Sequence, residues 1–167
     1  IGVRLVGSEM CIRDSVTAEQ IQRHHMKLVI LESGAKAKTI KKYLGKGWIV
    51  DACNGHVQDL PVNNKAMWAY KDGELPNPPW SWTDEKAERK LSAIMNKASK
   101  SSVNEIFIAT DPDREGEFIA WRLKEILSDF DSIQRISFNE ITKDAVMSAI
   151  SEPRDVDMDL VLSLIHI

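Results

Sequence analysis

The sequence predicts an α/β fold, a parallel sheet of about four strands with helices on both faces. Two observations carry this. Short apolar runs alternate with segments of helical composition, in β-α-β-α order. The most informative charged group, Thr110-Asp111-Pro112-Asp113-Arg114-Glu115-Gly116-Glu117, falls where an apolar run gives way to a helix. In sheets of this kind ligand sites form at such strand ends.

The first strand is Lys27–Leu31 (KLVIL), and Glu32–Lys38 (ESGAKAK) follows at its carboxyl end. Gly34 permits a tight turn. Ala35–Leu44 has helix-forming composition and Gly45 stops it. Trp48–Cys53 reads as the second strand. Val62–Trp82 is an irregular insertion rich in Pro, Asn and Trp. Its tryptophans could stack on bases, but pinning the loop to the core is the commoner use and the expectation. Thr83 reads as the N-cap of a charged helix reaching about Ser99. Asn104–Ala109 is the third strand, and Asp113–Leu127 the third helix, with Phe118, Ile119, Leu123 and Ile126 on one apolar face. Arg135–Phe138 reads as the fourth strand and Thr142–Ile150 as the fourth helix, closed by Pro153. There are no internal repeats or low-complexity tracts.

The two ends read differently. Met10–Ser15 back-translates to ATGTGTATAAGAGACAG and Leu162–Ile167 to CTGTCTCTTATACACATC, one sequence in its two orientations. Both resemble a transposon end used in building sequencing libraries, and are set apart as scars. The expected organisation is residues 1–25 as scar plus an uncertain upstream segment, 26–161 as one domain, and 162–167 as a second scar. Residues 26–161 suffice for a full core.

The net charge of −3 is not that of a strongly basic nucleic-acid binder, so any such contact must be local. With Cys11 in a scar, Cys53 stands alone, which excludes a disulfide framework or a cysteine-built zinc site. No apolar run is long enough to span a membrane. The expectation is a cytoplasmic protein with no membrane partner.

Asp111, Asp113 and Glu115 place three carboxylates within five residues, and these repel one another unless a cation joins them. Hard oxygen donors suit Mg²⁺, which takes a few carboxylates plus waters and substrate phosphates. An acidic helix N-terminus favoured by the macrodipole would explain one of them. It does not explain three with Arg114 between. Glu32 sits at the tip of the first strand, which a parallel sheet would bring beside the tip of the third. Lys36 and Lys38 stand at a helix start where phosphate could bind, although a solvated helix face is the expected reading for Lys38, Lys41 and Lys42. His56, in Gly55-His56-Val57-Gln58-Asp59-Leu60-Pro61, is a possible site contact rather than a reacting group. Asn139 and Glu140 either buttress the site or cap the last helix.

Four blocks, LVILESGAKAKTIKKYL (Leu28–Leu44), NGHVQDLP (Asn54–Pro61), ATDPDREGEFIAWRL (Ala109–Leu123) and FNEIT (Phe138–Thr142), resemble successive motifs of type IA DNA topoisomerases, in family order. The first and third alone resemble the wider Toprim domain, with its Glu after one strand and Asp-x-Asp after a later one. Gly34 stands where the topoisomerases usually have Pro. The resemblance implies a Toprim, Rossmann-like fold and an enzyme that cuts one DNA strand through a tyrosine, passes another and reseals.

It also implies roles: Asp111 and Asp113 on Mg²⁺, with Glu115 as a further ligand or outer partner. Glu32 would carry a proton at the 3′ oxygen, and Lys36, with Arg114, would stabilise charge on the phosphate. His56 and Lys38 would contact DNA. The implied partner is a single-stranded DNA segment, bound by a monomer, at the nucleoid in a prokaryote. The family's tyrosine comes from a later domain. Tyr43 lies in the first helix and Tyr70 in the insertion, so the chain is expected to be inactive alone. The competing readings are a stand-alone Toprim nuclease or primase-like phosphotransferase, and a non-catalytic nucleic-acid-binding module.

Overall fold

In a computed structural model of the chain, residues 26–60 and 80–165 are described. The strands are β1 (Met26–Leu31), β2 (Trp48–Ala52), β3 (Gln58–Asp59), β4 (Ser81–Trp82), β5 (Val103–Ala109) and β6 (Ile133–Arg135). The helices are α1 (Gly34–Leu44), α2 (Glu85–Lys100), α3 (Arg114–Ile126), α4 (Lys143–Ser151) and α5 (Met158–Ile165). Four strands form a parallel sheet in the order β2-β1-β5-β6. β3 and β4 pair antiparallel in a separate two-stranded unit.

Strand alternation explains the two cores. Leu28 and Ile30 of β1 and Ile106 and Ile108 of β5 face one side, where they meet Leu91, Ile94 and Ala98 of α2 and Ile119 and Leu123 of α3. Val29, Leu31, Phe107 and Ala109 face the other side, against Ala37 and Ile40 of α1 and Val146 of α4. Leu28, Ile30, Ile106 and Ile108 are all at most 1% exposed. Each such side chain contributes about 1.5–3 kcal/mol of burial. β1 and β5 are therefore held from both faces, as parallel strands require.

Several boundaries differ from the sequence reading. Gly34 is the first residue of α1, where the proline usual in the family is also well tolerated, rather than a turn residue. Gly45 closes α1 as expected, with φ 70°. Asp84, not Thr83, caps α2: its side chain accepts the Ala87 N–H, while the Thr83 hydroxyl donates to the His56 carbonyl. Asp113 is the cap of α3 rather than its first turn. The fourth strand lies at Ile133–Arg135, earlier than Arg135–Phe138. Beyond it only the Ile136 N–H still reaches the Ile108 carbonyl.

Helix α3 is not one-sided. Gly116 through Leu123 are all buried, because α5 and Trp80 cover the face turned away from the sheet. That third cluster joins Phe118, Trp121 and Val161 with Trp80, Leu164 and Ile165, so the stretch from Leu162 packs against α3 up to Ile165. Most of the Val62–Trp82 insertion, with Met67, Trp68 and Tyr70, lies outside the described residues. Within them, Trp80 is pinned: its ring lies 5.4 Å from that of Trp121 and 5.9 Å from that of Phe118, and the Arg122 guanidinium sits 4.2 Å over it. Trp82 packs on the core beneath α2. Among the described residues no helix is long and apolar enough to cross a membrane.

Candidate metal and phosphate site

Register builds the site. Leu31 pairs with Ala109 on one side and with Ala52 on the other. The residues that follow, Glu32, Thr110–Asp111 and Cys53–His56, therefore leave the sheet at one end. Connections from β1 and β5 run in opposite directions across the sheet, so the crevice between their tips is the switch point at which open α/β sheets bind ligands.

Of the expected residues, Lys36 meets Asp111 and His56 meets Glu115, while the others stand outside these two pairs. The Lys36 ammonium, in the first turn of α1, donates to Asp111 Oδ1 at 2.5 Å. Asp113 Oδ1 accepts the Gly116 N–H at 2.6 Å and so caps α3. Glu115 Oε1 lies 2.8 Å from His56 Nε2, whose ring packs 5.7 Å from that of Phe118. Arg114 is exposed, and among the described residues it forms no ion pair. Lys38 is exposed on α1. Glu140 Oε1 accepts the Thr142 hydroxyl, and Thr142 caps α4 through the Ala145 N–H, so Glu140 serves that cap.

Glu32 is electrostatically the most distinctive member. Partial burial raises its pKa above the ordinary 4.5, and the carboxylates of Asp111 and, more weakly, Asp113 push it further. The Asp111 backbone N–H and Lys36 pull the other way without prevailing. A carboxyl whose pKa is raised beside neighbouring carboxylates is the arrangement in which acid and base roles separate.

The three carboxylates of Asp111, Asp113 and Glu115 do not converge. Among the described residues no three Asp, Glu, His or Cys side chains are grouped as a chelating set. Mg²⁺ needs no such set, because one or two carboxylates with waters and substrate phosphates complete its shell. Asp111 fits this requirement. It is partly exposed, at the switch point, and its partner Lys36 is itself a cation about a third exposed. The second oxygen of Asp113 supplies another hard donor next to it. On donor chemistry the residues fit a hard divalent cation.

Sequence reasoning missed the residues that hold this loop in place. Glu117 is fully buried. Arg135 Nη2 reaches its Oε1 at 2.7 Å, Arg154 pairs with the same oxygen, and the Asp157 N–H donates to Oε2 at 2.9 Å. Burial alone would raise the Glu117 carboxyl, but Arg154, Arg135 and the Asp157 N–H outweigh it and hold the pKa below 4.5. Arg135, 3% exposed, also donates to the carbonyls of Ile108, Ile136 and Asp111, the last at 3.0 Å. The backbone that carries the Asp111 carboxylate is thus tied to a buried ionic cluster. Gly116 is the second missed residue. A Cβ there would lie 2.0 Å from the Asp111 carbonyl oxygen, so the first turn of α3 can approach this loop only through a glycine. One signal was readable for Glu117: a charge embedded among Phe118, Ala120 and Trp121 in a helical stretch needs a buried partner.

Comparison with known proteins agrees with this geometry. Residues 27–141 match the family model described as the Toprim domain. The chain is 42% identical over 142 residues to DNA topoisomerase 1 of Rickettsia prowazekii, covering 81% of this chain and 18% of that protein. It is 44% identical over 146 residues to DNA topoisomerase 1 of Zymomonas mobilis, covering 81% of this chain and 11% of that protein. Among solved structures it resembles full-length topoisomerase I from Thermotoga maritima, with a TM-score of 0.65 and 34% identity over 80% of this chain and 22% of that one. The chain therefore spans less than a fifth of the length of the curated relatives named here.

Proposed function

Because the chain belongs to the Toprim domain family, we propose that it is the Mg²⁺- and DNA-phosphate-binding half-site of a type IA topoisomerase. The observation that carries this is the meeting of Glu32, Lys36 and Asp111 at adjacent strand tips, with Lys36 on Asp111 and Glu32 held toward protonation. Similarity to topoisomerases over 81% of the chain favours this over a stand-alone nuclease or primase-like enzyme.

In this reading Asp111 and Asp113 hold Mg²⁺, with Glu115 beside them, and the ion supplies charge compensation to the DNA backbone. Glu32 carries a proton at the 3′ oxygen: protonated it can donate to a leaving alkoxide, and ionised it can take the proton back on resealing. Lys36, which meets Asp111 across the site, would offer its ammonium to the phosphate. His56 orients Glu115 through their hydrogen bond. Arg114, exposed beside the carboxylates, is free to meet the phosphate backbone of a single-stranded segment. We place the protein as a monomer in the cytoplasm, working at the nucleoid.

The nucleophile belongs to the longer protein. Tyr43 donates to the Ile141 carbonyl at 3.3 Å and packs against the core on the α1 face, which leaves it no route to a scissile phosphate. The test is Mg²⁺ titration of the 167-residue chain, followed by calorimetry and amide NMR. Shifts centred on Asp111–Glu115 are expected. Unchanged binding in an Asp111→Asn, Asp113→Asn double variant removes the metal assignment.

A further inference from the structure

Two cavities adjoin at the edge of the sheet next to the site, and the proposed function does not use them. One, of about 350 Å³, lies between α1, β2 and α2 and is lined by Gly34, Lys38, Lys41, Asp51, Asn54 and Lys90, among others. The second, of about 260 Å³, is lined by Asn54, His56, Asp84, Lys86 and Lys90, among others. The two share Asn54 and Lys90 in their linings and so lie side by side as one grooved strip of surface. Its lining includes Gly34, two residues from Glu32, and His56, whose Nε2 meets Glu115.

The charge in this groove is opposite to that of the chain. Lys38, Lys41, Lys86 and Lys90 line it, against Asp51 and Asp84. Neither acid is free. Asp51 is neutralised by Lys90 at 2.6 Å and Lys97 at 3.6 Å. Asp84 accepts the Ala87 N–H as the cap of α2. Among the described residues Lys38, Lys41 and Lys86 form no ion pair. Lys38 and Lys41 are three apart on α1, with Gly34 four before Lys38, so all three stand on one face of the helix. The His56 Nδ1 atom is buried without a hydrogen-bond partner among the described residues. On a chain of net charge −3 this is a locally cationic strip, with four lysines against two aspartates and with Lys38, Lys41 and Lys86 outside any ion pair among the described residues.

We propose that this groove carries the phosphate backbone of the single-stranded DNA segment as it leaves the Glu32–Asp111 site, with Lys38 and Lys41 as the principal phosphate contacts. The inference rests on the DNA-binding reading above and extends it to a path. Lysine contacts of this kind position a strand without reading its sequence, so binding should be indifferent to base identity.

The test uses the 167-residue chain and a fluorescein-labelled oligothymidylate, with anisotropy measured from low to moderate salt. In single strands each neutralised phosphate contributes about 0.7 to the slope of log K against log salt. Lys38→Gln with Lys41→Gln should therefore reduce the slope by about 1.4. Lys42→Gln with Lys46→Gln, an equal loss of charge outside the groove, should leave it unchanged. All four side chains are exposed, so the fold is expected to survive, and circular dichroism checks that it does. Equal effects of the two pairs, or no effect of the first, overturn the groove while leaving the DNA-binding reading intact. Failure of the unsubstituted chain to bind the oligonucleotide at low salt overturns both.

Discussion

Gly116→Ala sets two effects of opposite sign against each other, and the structure decides between them. Gly116 is the third residue of α3, where alanine is favoured over glycine by about 1 kcal/mol. Yet the added Cβ would stand 2.0 Å from the Asp111 carbonyl oxygen, with the carbonyl carbon at 2.9 Å. Restoring even a 3.0 Å separation requires the Asp111 peptide to move by about 1 Å, within the range of overpacking costs of about 1–3 kcal/mol. That movement draws the Asp111 carbonyl away from Arg135 Nη2, now 3.0 Å distant. A hydrogen bond to a charged group contributes about 1.5–3 kcal/mol. The net expectation is a loss of about 2–4 kcal/mol after the helix gain is subtracted. Urea denaturation of the parent chain and the Gly116→Ala variant measures it, and Mg²⁺ titration of both reports whether the Asp111 carboxylate has moved. A variant as stable as the parent, with unaltered Mg²⁺ affinity, would refute the claim that this contact sets the loop.

Other substitutions probe separate parts of the same argument. Glu117→Gln leaves Arg135 buried without its counter-charge and should cost about 3–5 kcal/mol, read from the urea midpoint. In the parent, the Glu117 pKa is lower folded than unfolded, so its stabilisation is present above pH 4.5 and is lost as pH falls below it. Midpoints measured from about pH 6 to about pH 3 should show that loss, and a flat profile would count against the cluster. Glu32 has the opposite sign: its raised pKa makes the ionised form a liability near neutrality that disappears as pH falls. Glu32→Gln should raise Tm slightly near neutral pH, by about 2 °C, and the gain should vanish at about pH 4. A lower Tm near neutral pH would mean that Glu32 is a structural support. The 167-residue chain with Mg²⁺ should neither relax supercoiled DNA nor leave a covalent adduct on a denaturing gel, and an adduct would overturn the assignment of the nucleophile to another part of the longer protein.

The four-stranded parallel sheet and the clustering of Glu32 with Asp111 are legible in the sequence because each depends on local pattern plus one topological rule. Apolar runs of five or six residues mark β1, β2 and β5, and parallel connection brings their carboxyl ends together. What escapes the sequence is set by partners distant in the chain. β3 and β4 have two residues each, too short for any periodicity. Arg135 looks like the start of a strand and is its last residue, and its side chain turns in to four acceptors, all outside the strand. Asp113 looks like a cation ligand alone, and its capping bond shows that one carboxylate can hold a helix end and still offer an oxygen. The burial of α3 on both sides needs α5, half of whose residues carry the look of a foreign tail.

The buried cluster around Glu117 also says where this domain can be cut. The family match ends at residue 141, yet Arg154 and Asp157 complete the coordination of a carboxylate at the heart of α3. A piece trimmed to the family boundaries would keep every residue of the proposed Mg²⁺ site and lose half the counter-charge beneath it. The family model and the folding unit are therefore not the same length: the model spans 27–141, but the buried cluster extends at least sixteen residues further. Anyone grafting this site onto another scaffold would have to carry the strap that passes through Arg154 along with it.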